Sequence, residues 1–198
     1  MDAFAALNCR NLERKARCAD LAAAARVVQG LGARCQGVLE QTDVYFHVPH
    51  GRLKLRTIEG QQAVLIWYQR PDEKTARWSR YHLVPVSDPA GMRAALAAAL
   101  GERGQVNKRR SLWLWHNVRI HFDDVEGLGT FLEFEAVMAE GDDEETARRR
   151  LAELSAALGL TEADDLAGSY GDMPPSMTPV SRDAQRSAEP ARFTARRG

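Results

Sequence analysis

Apolar and charged residues largely alternate near the start of the chain, in the stretch CRNLERKAR at residues 9–17. Successive side chains of an extended segment point to opposite faces, so this pattern predicts a β-strand. Leu12, Arg14 and Ala16 fall on one face of that strand. The other face carries Asn11, Glu13, Lys15 and Arg17. A strand that presents an acid and two bases in a row faces either water or a charged ligand.

Seven further segments have the composition of β-strands, rich in Val, Ile, Tyr, Phe and Trp. Three lie within residues 37–71, one spans residues 76–86, and three lie within residues 105–138. The breaks that separate neighbouring strands in these regions fall at residues 49–51, 59–60, 116–117 and 126–129. Because the breaks are short, they predict hairpins and therefore antiparallel pairing.

Three stretches between these strands predict α-helices. The first begins at its N-cap Asp20 and ends at Gly30 or Gly32. The second, residues 88–101, opens with Asp-Pro and closes with Gly, and the third, residues 142–159, has acids in its first turn and a Gly stop. Together the segments predict an α+β fold, built on an eight-stranded antiparallel sheet or closed β-barrel with flanking helices.

The chain has 198 residues, with 27 basic and 27 acidic side chains, so its formal net charge is zero. That balance gives no support to nonspecific nucleic-acid binding or to attachment to a membrane surface. No apolar run reaches the roughly 18 residues of a membrane span and no secretory signal is visible, so we expect a cytoplasmic protein. We expect one domain over residues 1–173 and a disordered tail rich in Pro, Ser and Arg over residues 174–198.

Charged side chains dominate the polar faces of the other predicted strands as well. The acids on these faces are Glu13, Asp123, Glu133 and Glu135. The bases are Lys15, Arg17, Lys54, Arg56, Arg70, Lys108, Arg110 and Arg119. A half-exposed sheet would explain any single strand. If the sheet closes, however, both sets point into one lumen, where Arg and Lys can bind phosphate oxygens and carboxylates can hold Mg²⁺ or Mn²⁺.

Six motifs in order make the chain resemble the CYTH superfamily, also called the triphosphate tunnel metalloenzymes. The family signature E-x-E-x-K on the first strand is matched by NLERK at residues 11–15. The other matches are QTDVYF, GRLKLR, NKRRSLW, VRIHFDDVEGLGTFLEFE and GSYGDM. The resemblance covers roughly residues 8–173 and implies an eight-stranded antiparallel barrel that encloses a tunnel for a triphosphate.

The resemblance also implies roles for individual residues. The metal ligands would be Glu13, Asp123, Glu133 and Glu135, with Mg²⁺ or Mn²⁺ as the cofactor. Lys15 would be catalytic, acting on the attacking or the leaving oxygen. The triphosphate would contact Arg17, Lys54, Arg56, Arg77, Lys108, Arg110 and Arg119, and Tyr170 would close over the tunnel. His121 shares a face with Arg119 and Asp123, so we expect it in the lumen, and direct phosphate contact is left open.

Asn11 stands where the family signature has its first acid. It offers a neutral oxygen but no charge, so a second metal would be held less firmly than a first. The expected activity is that of a class IV adenylate cyclase, which converts ATP to cAMP and pyrophosphate. One alternative is hydrolysis of tripolyphosphate, thiamine triphosphate or a nucleoside triphosphate, and another is a non-catalytic polyphosphate- or nucleotide-binding module. We expect no nucleic-acid or membrane partner, and a homodimer is left open.

Overall fold

The computed structural model of the chain describes residues 9–72, 76–139 and 141–173. Within these residues, eight strands form a closed barrel and three α-helices pack on its outside. The strands are β1 (Cys9–Arg17), β2 (Arg34–Phe46), β3 (Arg52–Ile58), β4 (Ala63–Gln69), β5 (Arg77–Val86), β6 (Glu102–Trp115), β7 (Val118–Val125) and β8 (Gly129–Met138). The helices are α1 (Leu21–Gly30), α2 (Pro89–Leu100) and α3 (Glu144–Ala157). The predicted α+β barrel is therefore confirmed.

The strands follow the order β1-β5-β4-β3-β2-β6-β7-β8 around the barrel, and every neighbouring pair is antiparallel. Pairing of β1 with β8 completes the ring. Glu13 of β1 therefore lies opposite Arg77 of β5 on one side and opposite Glu135 of β8 on the other. Closure of the barrel sends alternate side chains of each strand to opposite sides. One set enters the lumen, and the other faces outward.

Much of the outward set is apolar, and the helices cover a large part of it. Leu12, Ile120 and Phe134 are almost fully buried under α1 and α3, in one cluster. A second cluster includes Val44 and Leu55 and packs against α2. Burying a large apolar side chain is worth about 1.5–3 kcal/mol relative to exposing it, so these two layers stabilise the barrel from outside. The lumen is thereby left free to hold charge.

The helix starts follow the predicted capping. The side chains of Asp20 and Asp88 accept hydrogen bonds from backbone N–H groups in the first turns of α1 and α2, and Asp143 does the same for α3. Two strands begin earlier than predicted, β2 at Arg34 and β6 at Glu102. These two strands pair with each other along almost their full lengths, and this tertiary pairing extends segments that have weak strand propensity by themselves.

A C-terminal segment, residues 161–173, crosses one end of the barrel and contains two short 3₁₀ turns, Glu162–Asp164 and Tyr170–Asp172. Arg14, on the outer face of β1, donates through Nε to Asp165 Oδ1 at 2.7 Å. The backbone N–H of Leu166 donates to the carbonyl of Lys15 at 2.9 Å. The outer side of the signature strand thus anchors the segment that closes the lumen.

The predicted tail, residues 174–198, lies outside the described residues. None of the helices in the described part of the chain is long and apolar enough to cross a membrane.

Candidate active site

A cavity of about 160 Å³ occupies the lumen of the barrel. Ten of the predicted site residues line it: Glu13, Lys15, Lys54, Arg56, Lys108, Arg110, Arg119, Glu133, Glu135 and Tyr170. Asn11 and Arg70 also line it. The two charge sets identified on separate strands of the sequence therefore converge on one cavity.

The cavity has a closed end and an open end, as the exposure of side chains along β7 shows. Asp123 is 0% exposed, His121 is 6% exposed and Arg119 is 44% exposed. Tyr170 lies at the closed end, where its ring centre is 5.0 Å from that of Phe131. Its hydroxyl donates to Asp123 Oδ2 at 2.8 Å. The predicted closing tyrosine is therefore placed over one end of the lumen.

Asp43 of β2 is the centre of a buried cationic cluster near the closed end. Its carboxylate accepts hydrogen bonds from Arg56 Nε at 2.8 Å and from Lys54 Nζ at 3.1 Å. Lys108 Nζ lies 3.8 Å away. Burial alone would raise the pKa of Asp43, but attraction to these three cations holds it well below its ordinary value. Asp43 therefore stays ionised and holds two phosphate-binding candidates in place.

Asp123 of β7 has a similar environment. Arg110 donates to both of its oxygens, each at 2.6 Å, and Lys108 Nζ lies 3.7 Å away. Attraction to Arg110 and Lys108 outweighs burial and lowers the pKa of Asp123. This predicted metal ligand lies behind the cavity lining and is bound by an arginine, a lysine and a tyrosine.

The two buried lysines near these aspartates have lowered pKa values. Burial, followed by repulsion from Arg56, lowers the pKa of Lys54 to about 8. Burial, followed by repulsion from Arg110, lowers the pKa of Lys108 to about 7. Both ammonium groups therefore lose a proton at lower pH than an ordinary lysine does, and a bound polyanion would stabilise their charged forms.

Glu133 and Glu135 of β8 lie further from the closed end. Glu133 forms one ion pair with Lys15 Nζ at 3.0 Å and another with Arg110 Nη2 at 2.7 Å. Burial would raise its pKa, but Lys15 and the other cations hold it well below the ordinary value. Glu135 has looser neighbours, with Asn11 Nδ2 at 3.4 Å and Arg119 Nη1 at 3.8 Å. Of the predicted acidic ligands, Glu135 is thus the one whose oxygens are least engaged.

One group of donor atoms in the described residues has the spacing of a metal site. It joins Glu133 and Glu135 to His121, with one ligand atom of each within 4.8 Å of the others. Glu13 is outside this group, because it is ion-paired with Arg70 and lies 3.4 Å from Arg77 Nε. Of the four acids predicted as metal ligands, Glu133 and Glu135 therefore belong to this group, whereas Glu13 and Asp123 lie outside it. Glu133 is at the same time ion-paired with Arg110.

Two predicted phosphate-binding residues lie outside the cavity lining. Arg17, at the end of β1, is exposed and its guanidinium carbon lies 5.3 Å from the ring centre of Phe131. Arg77 is fully buried beside Glu13 and donates through Nη1 to the carbonyl of Leu166 at 2.9 Å. Arg77 thus links β5 to the closing segment. Their predicted phosphate contacts stay predictions.

Sequence reasoning missed Asp43 and gave Arg70 no binding role. Asp43 lies in the motif QTDVYF, on the same strand face as Gln41 and Tyr45. The alternation of the sequence could therefore have identified its face. Its importance depends on β3 and β6 both flanking β2, which the sequence pattern does not specify. Arg70 was recognised as a base on a charged face, but its pairing with Glu13 requires β1 and β4 to lie on opposite sides of β5.

Solved structures with this architecture include archaeal and bacterial proteins. The PH1012 protein of Pyrococcus horikoshii OT3 superposes with a TM-score of 0.73 at 27% identity, covering 81% of this chain and 97% of that one. A conserved hypothetical protein of Pyrococcus furiosus gives 0.71 at 22% identity, covering 81% and 98%. A candidate adenylate cyclase of Vibrio parahaemolyticus gives 0.63 at 22% identity, covering 81% and 94%.

A comparison with curated protein sequences returns no match. The family model of the CYTH domain, in contrast, matches residues 10–170, which is most of the chain and all of the barrel except its first residue. The match, the closed eight-stranded barrel and the charged lumen agree with one another. The chain belongs to the CYTH domain family.

Proposed function

We propose that this protein is a divalent-metal-dependent enzyme that acts on a triphosphate inside the barrel, converting ATP to cAMP and pyrophosphate. The observation that carries the proposal is the order of charges along the lumen. Buried cations lie near the closed end, and the donor group of His121, Glu133 and Glu135 lies toward the open end. A triphosphate that enters with its terminal phosphate first would have its α-phosphate next to that donor group.

The cations would bind the β- and γ-phosphates. Lys54, Arg56, Lys108 and Arg110 come from β3 and β6 and line the cavity together. Arginine binds phosphate oxygens through two parallel N–H donors, and lysine supplies a compact charge. Asp43 and Asp123 hold these side chains in position before the substrate arrives, which lowers the entropic cost of ordering them on binding.

In cyclisation the ribose 3′-oxygen forms a bond to the α-phosphorus, the bond from that phosphorus to the bridging oxygen breaks to release pyrophosphate, and the hydroxyl proton passes to solvent. A divalent ion bound by the donor group would neutralise charge that develops on the α-phosphate oxygens. The cations at the closed end would hold the departing pyrophosphate. Lys15, which lies 3.0 Å from Glu133 Oε1, is positioned to donate to a phosphate oxygen between these two regions.

One observation favours hydrolysis as a second candidate. Lys15 Nζ lies 3.8 Å from the ring centre of Tyr170, at the closed end of the cavity. With the same substrate orientation, a water held by Lys15 would lie beside the terminal phosphorus, and its attack would release orthophosphate. The two reactions differ in which phosphorus is attacked, so their products separate them.

The test is a product assay. The purified protein is incubated with Mg²⁺ or Mn²⁺ and, separately, with ATP, tripolyphosphate and thiamine triphosphate, and cAMP, pyrophosphate and orthophosphate are resolved. We expect cAMP and pyrophosphate in equal amounts from ATP. The matched variants are Glu135→Gln at the donor group and Glu153→Gln at an exposed position of α3, and only the first should lose turnover.

Each other outcome assigns a different function. Orthophosphate without cAMP would overturn the cyclase assignment and support a triphosphatase, named by its best substrate. Absence of turnover together with metal-dependent triphosphate binding would overturn the enzyme assignment and support a binding module.

A further inference from the structure

His121 is buried in the lumen with a ring nitrogen directed at two carboxylates. Its side chain is 6% exposed, and its Nδ1 lies 3.5 Å from Glu133 Oε2 and 3.8 Å from Glu135 Oε1. These separations are at or beyond the limit of an ordinary hydrogen bond. Within the described residues this Nδ1 makes no hydrogen bond of ordinary geometry, and its nearest carboxylate is Glu133, whose pKa it helps to lower. An unpaired buried nitrogen costs free energy, so its position beside two acids calls for a further partner.

The spacing of the three side chains fits a shared cation. Donor atoms bound about 2.1 Å from one ion lie roughly 3–4 Å from one another. Both distances from His121 Nδ1 fall within that range. β-Sheet register explains the convergence, because His121 lies directly opposite Glu133 across the β7–β8 pair, and Glu135 is two positions further along β8.

Both carboxylates retain capacity for an ion. A carboxylate offers about four lone-pair positions. Glu133 uses one oxygen for Lys15 and the other for Arg110. Glu135 has only contacts of 3.4 Å or longer to Asn11, Arg119 and His121. Glu135 and the nitrogen of His121 are therefore the least engaged donors in the group.

The presence of Asn11 in place of an acid makes the His121 nitrogen more important as a potential metal ligand. The Asn11 side chain donates to Glu135 Oε2 at 3.4 Å, and its oxygen accepts from the hydroxyl of Tyr81 at 3.2 Å. Glu13 is held by Arg70. The signature strand β1 therefore contributes no lightly engaged carboxylate to the lumen, and β7 contributes a histidine nitrogen in the place where a metal would need another donor.

We propose that His121 binds the metal through Nδ1 and that the resulting donor set of one nitrogen and two carboxylates selects Mn²⁺ over Mg²⁺. The inference rests on the proposed metal-dependent function and specifies the ion. Mg²⁺ prefers oxygen ligands and near-ideal octahedral geometry, whereas imidazole nitrogen suits first-row transition metals. Mn²⁺ also accepts carboxylate and water ligands, so it can be bound by both the imidazole nitrogen and the carboxylate oxygens.

The first experiment needs only the wild-type protein. Mn²⁺ is added to the full chain without nucleotide, and electron spin-echo envelope modulation is recorded on the bound ion. We expect modulation from a directly coordinated ¹⁴N nucleus. The second measurement is the ratio of Mn²⁺ to Mg²⁺ dissociation constants by calorimetric titration, which we expect to favour Mn²⁺ by at least about tenfold.

The variants are His121→Asn and His121→Asp, with His47→Gln as the control at an exposed histidine. We expect both His121 variants to lose the nitrogen modulation, and His121→Asp to lower the preference for Mn²⁺ about tenfold by restoring an all-oxygen site. The control should retain the modulation and the preference. Unfolding curves of each variant separate loss of the ligand from loss of the fold.

Mn²⁺ bound without nitrogen coupling in the wild type would overturn the proposal, and so would equal affinity for the two ions. Failure of Mn²⁺ to bind would overturn it as well. These outcomes are distinguishable from failure of the proposed function, because metal-dependent turnover of ATP with an all-oxygen site leaves the enzyme assignment intact. Turnover that is unchanged by chelation would instead remove the metal-dependent function itself.

Discussion

Asp43 and Asp123 differ from Glu133 and Glu135 in a way that cross-strand neighbours explain, although all four carboxylates belong to one lumen. Asp43 lies directly opposite Arg56 and Asp123 directly opposite Arg110, so each aspartate is bound by an arginine in register. Glu133 lies opposite Lys15 and His121. Glu135 lies opposite Arg119 and, on its other side, another acid, Glu13. The aspartates are thus held by arginines, and Glu133 shares its oxygens between Lys15 and Arg110. Glu135 meets basic groups of the described residues only at 3.8 Å.

The largest effect should come from neutralising an aspartate. Asp123→Asn would leave Arg110 and Lys108 buried without their main counter-charge, and breaking a buried ion pair costs about 3–5 kcal/mol. We expect a loss of that size in the free energy of unfolding, measured by urea denaturation. Asp124→Asn, at the exposed neighbouring position, is the control and should stay within about 0.5 kcal/mol of wild type. Equal stability of the two variants would remove the structural role assigned to Asp123.

Glu135→Gln should reduce turnover with little loss of stability, in contrast to the aspartate variant. Its carboxylate has only long contacts, so we expect the unfolding free energy to change by less than about 1 kcal/mol. Metal-dependent turnover should fall by about 100-fold or more, because an ion held near developing charge is worth several kcal/mol. Unfolding and turnover are measured on the same preparation. A variant that unfolds, or one that retains full activity, would place Glu135 with the structural acids.

Tyr170→Phe tests the closed end of the lumen more gently. It removes the hydroxyl that donates to Asp123 at 2.8 Å, and hydrogen bonds to charged groups are worth about 1.5–3 kcal/mol. Tyr81→Phe, at the open end, removes a hydroxyl that donates to the neutral Asn11. We therefore expect the first variant to lose more unfolding free energy than the second. The reverse order would contradict the distinction between the two ends.

The smallest effect is a pH dependence of anion binding. Lys54 and Lys108 have pKa values of about 8 and about 7, so both lose protons as the pH rises from 6 to 9. Between pH 6 and 8, metal-free binding of tripolyphosphate, measured by calorimetry, should weaken by at most about tenfold through Lys108 and about twofold through Lys54. In Lys54→Gln the dependence should be shallower, and the shared titration of the ligand cancels in the comparison.

The free energy of unfolding should increase as the pH rises, whereas anion binding weakens. Between pH 7 and the ordinary lysine pKa of 10.5, the unfolded chain holds protons that the folded lysines have lost. A state that binds more protons is disfavoured as pH rises, so these two lysines make the fold more stable across that window. The same deprotonation thus favours the empty fold and disfavours the bound anion.

Strand parity predicted the face of most of the charged residues that line the cavity, although Arg17, which shares that parity at the end of β1, lies outside the lining. Parity was sufficient for Lys15, Glu133 and Arg110. It did not specify which strands become neighbours, since β1 meets β5 and β8, and β2 meets β3 and β6. The arginine partners of Asp43 and Glu13 depend on that order, and so does the approach of His121 to Glu133.

Closure of one end by residues 161–173 has a kinetic consequence. If a substrate enters and leaves by the end where Arg119 is exposed, the group bound deepest is the last to depart. For a cyclising enzyme that group is pyrophosphate, so an ordered release with the nucleotide product first is expected. Dissociation of pyrophosphate would then limit each turnover, and added pyrophosphate would inhibit by rebinding to the buried cations.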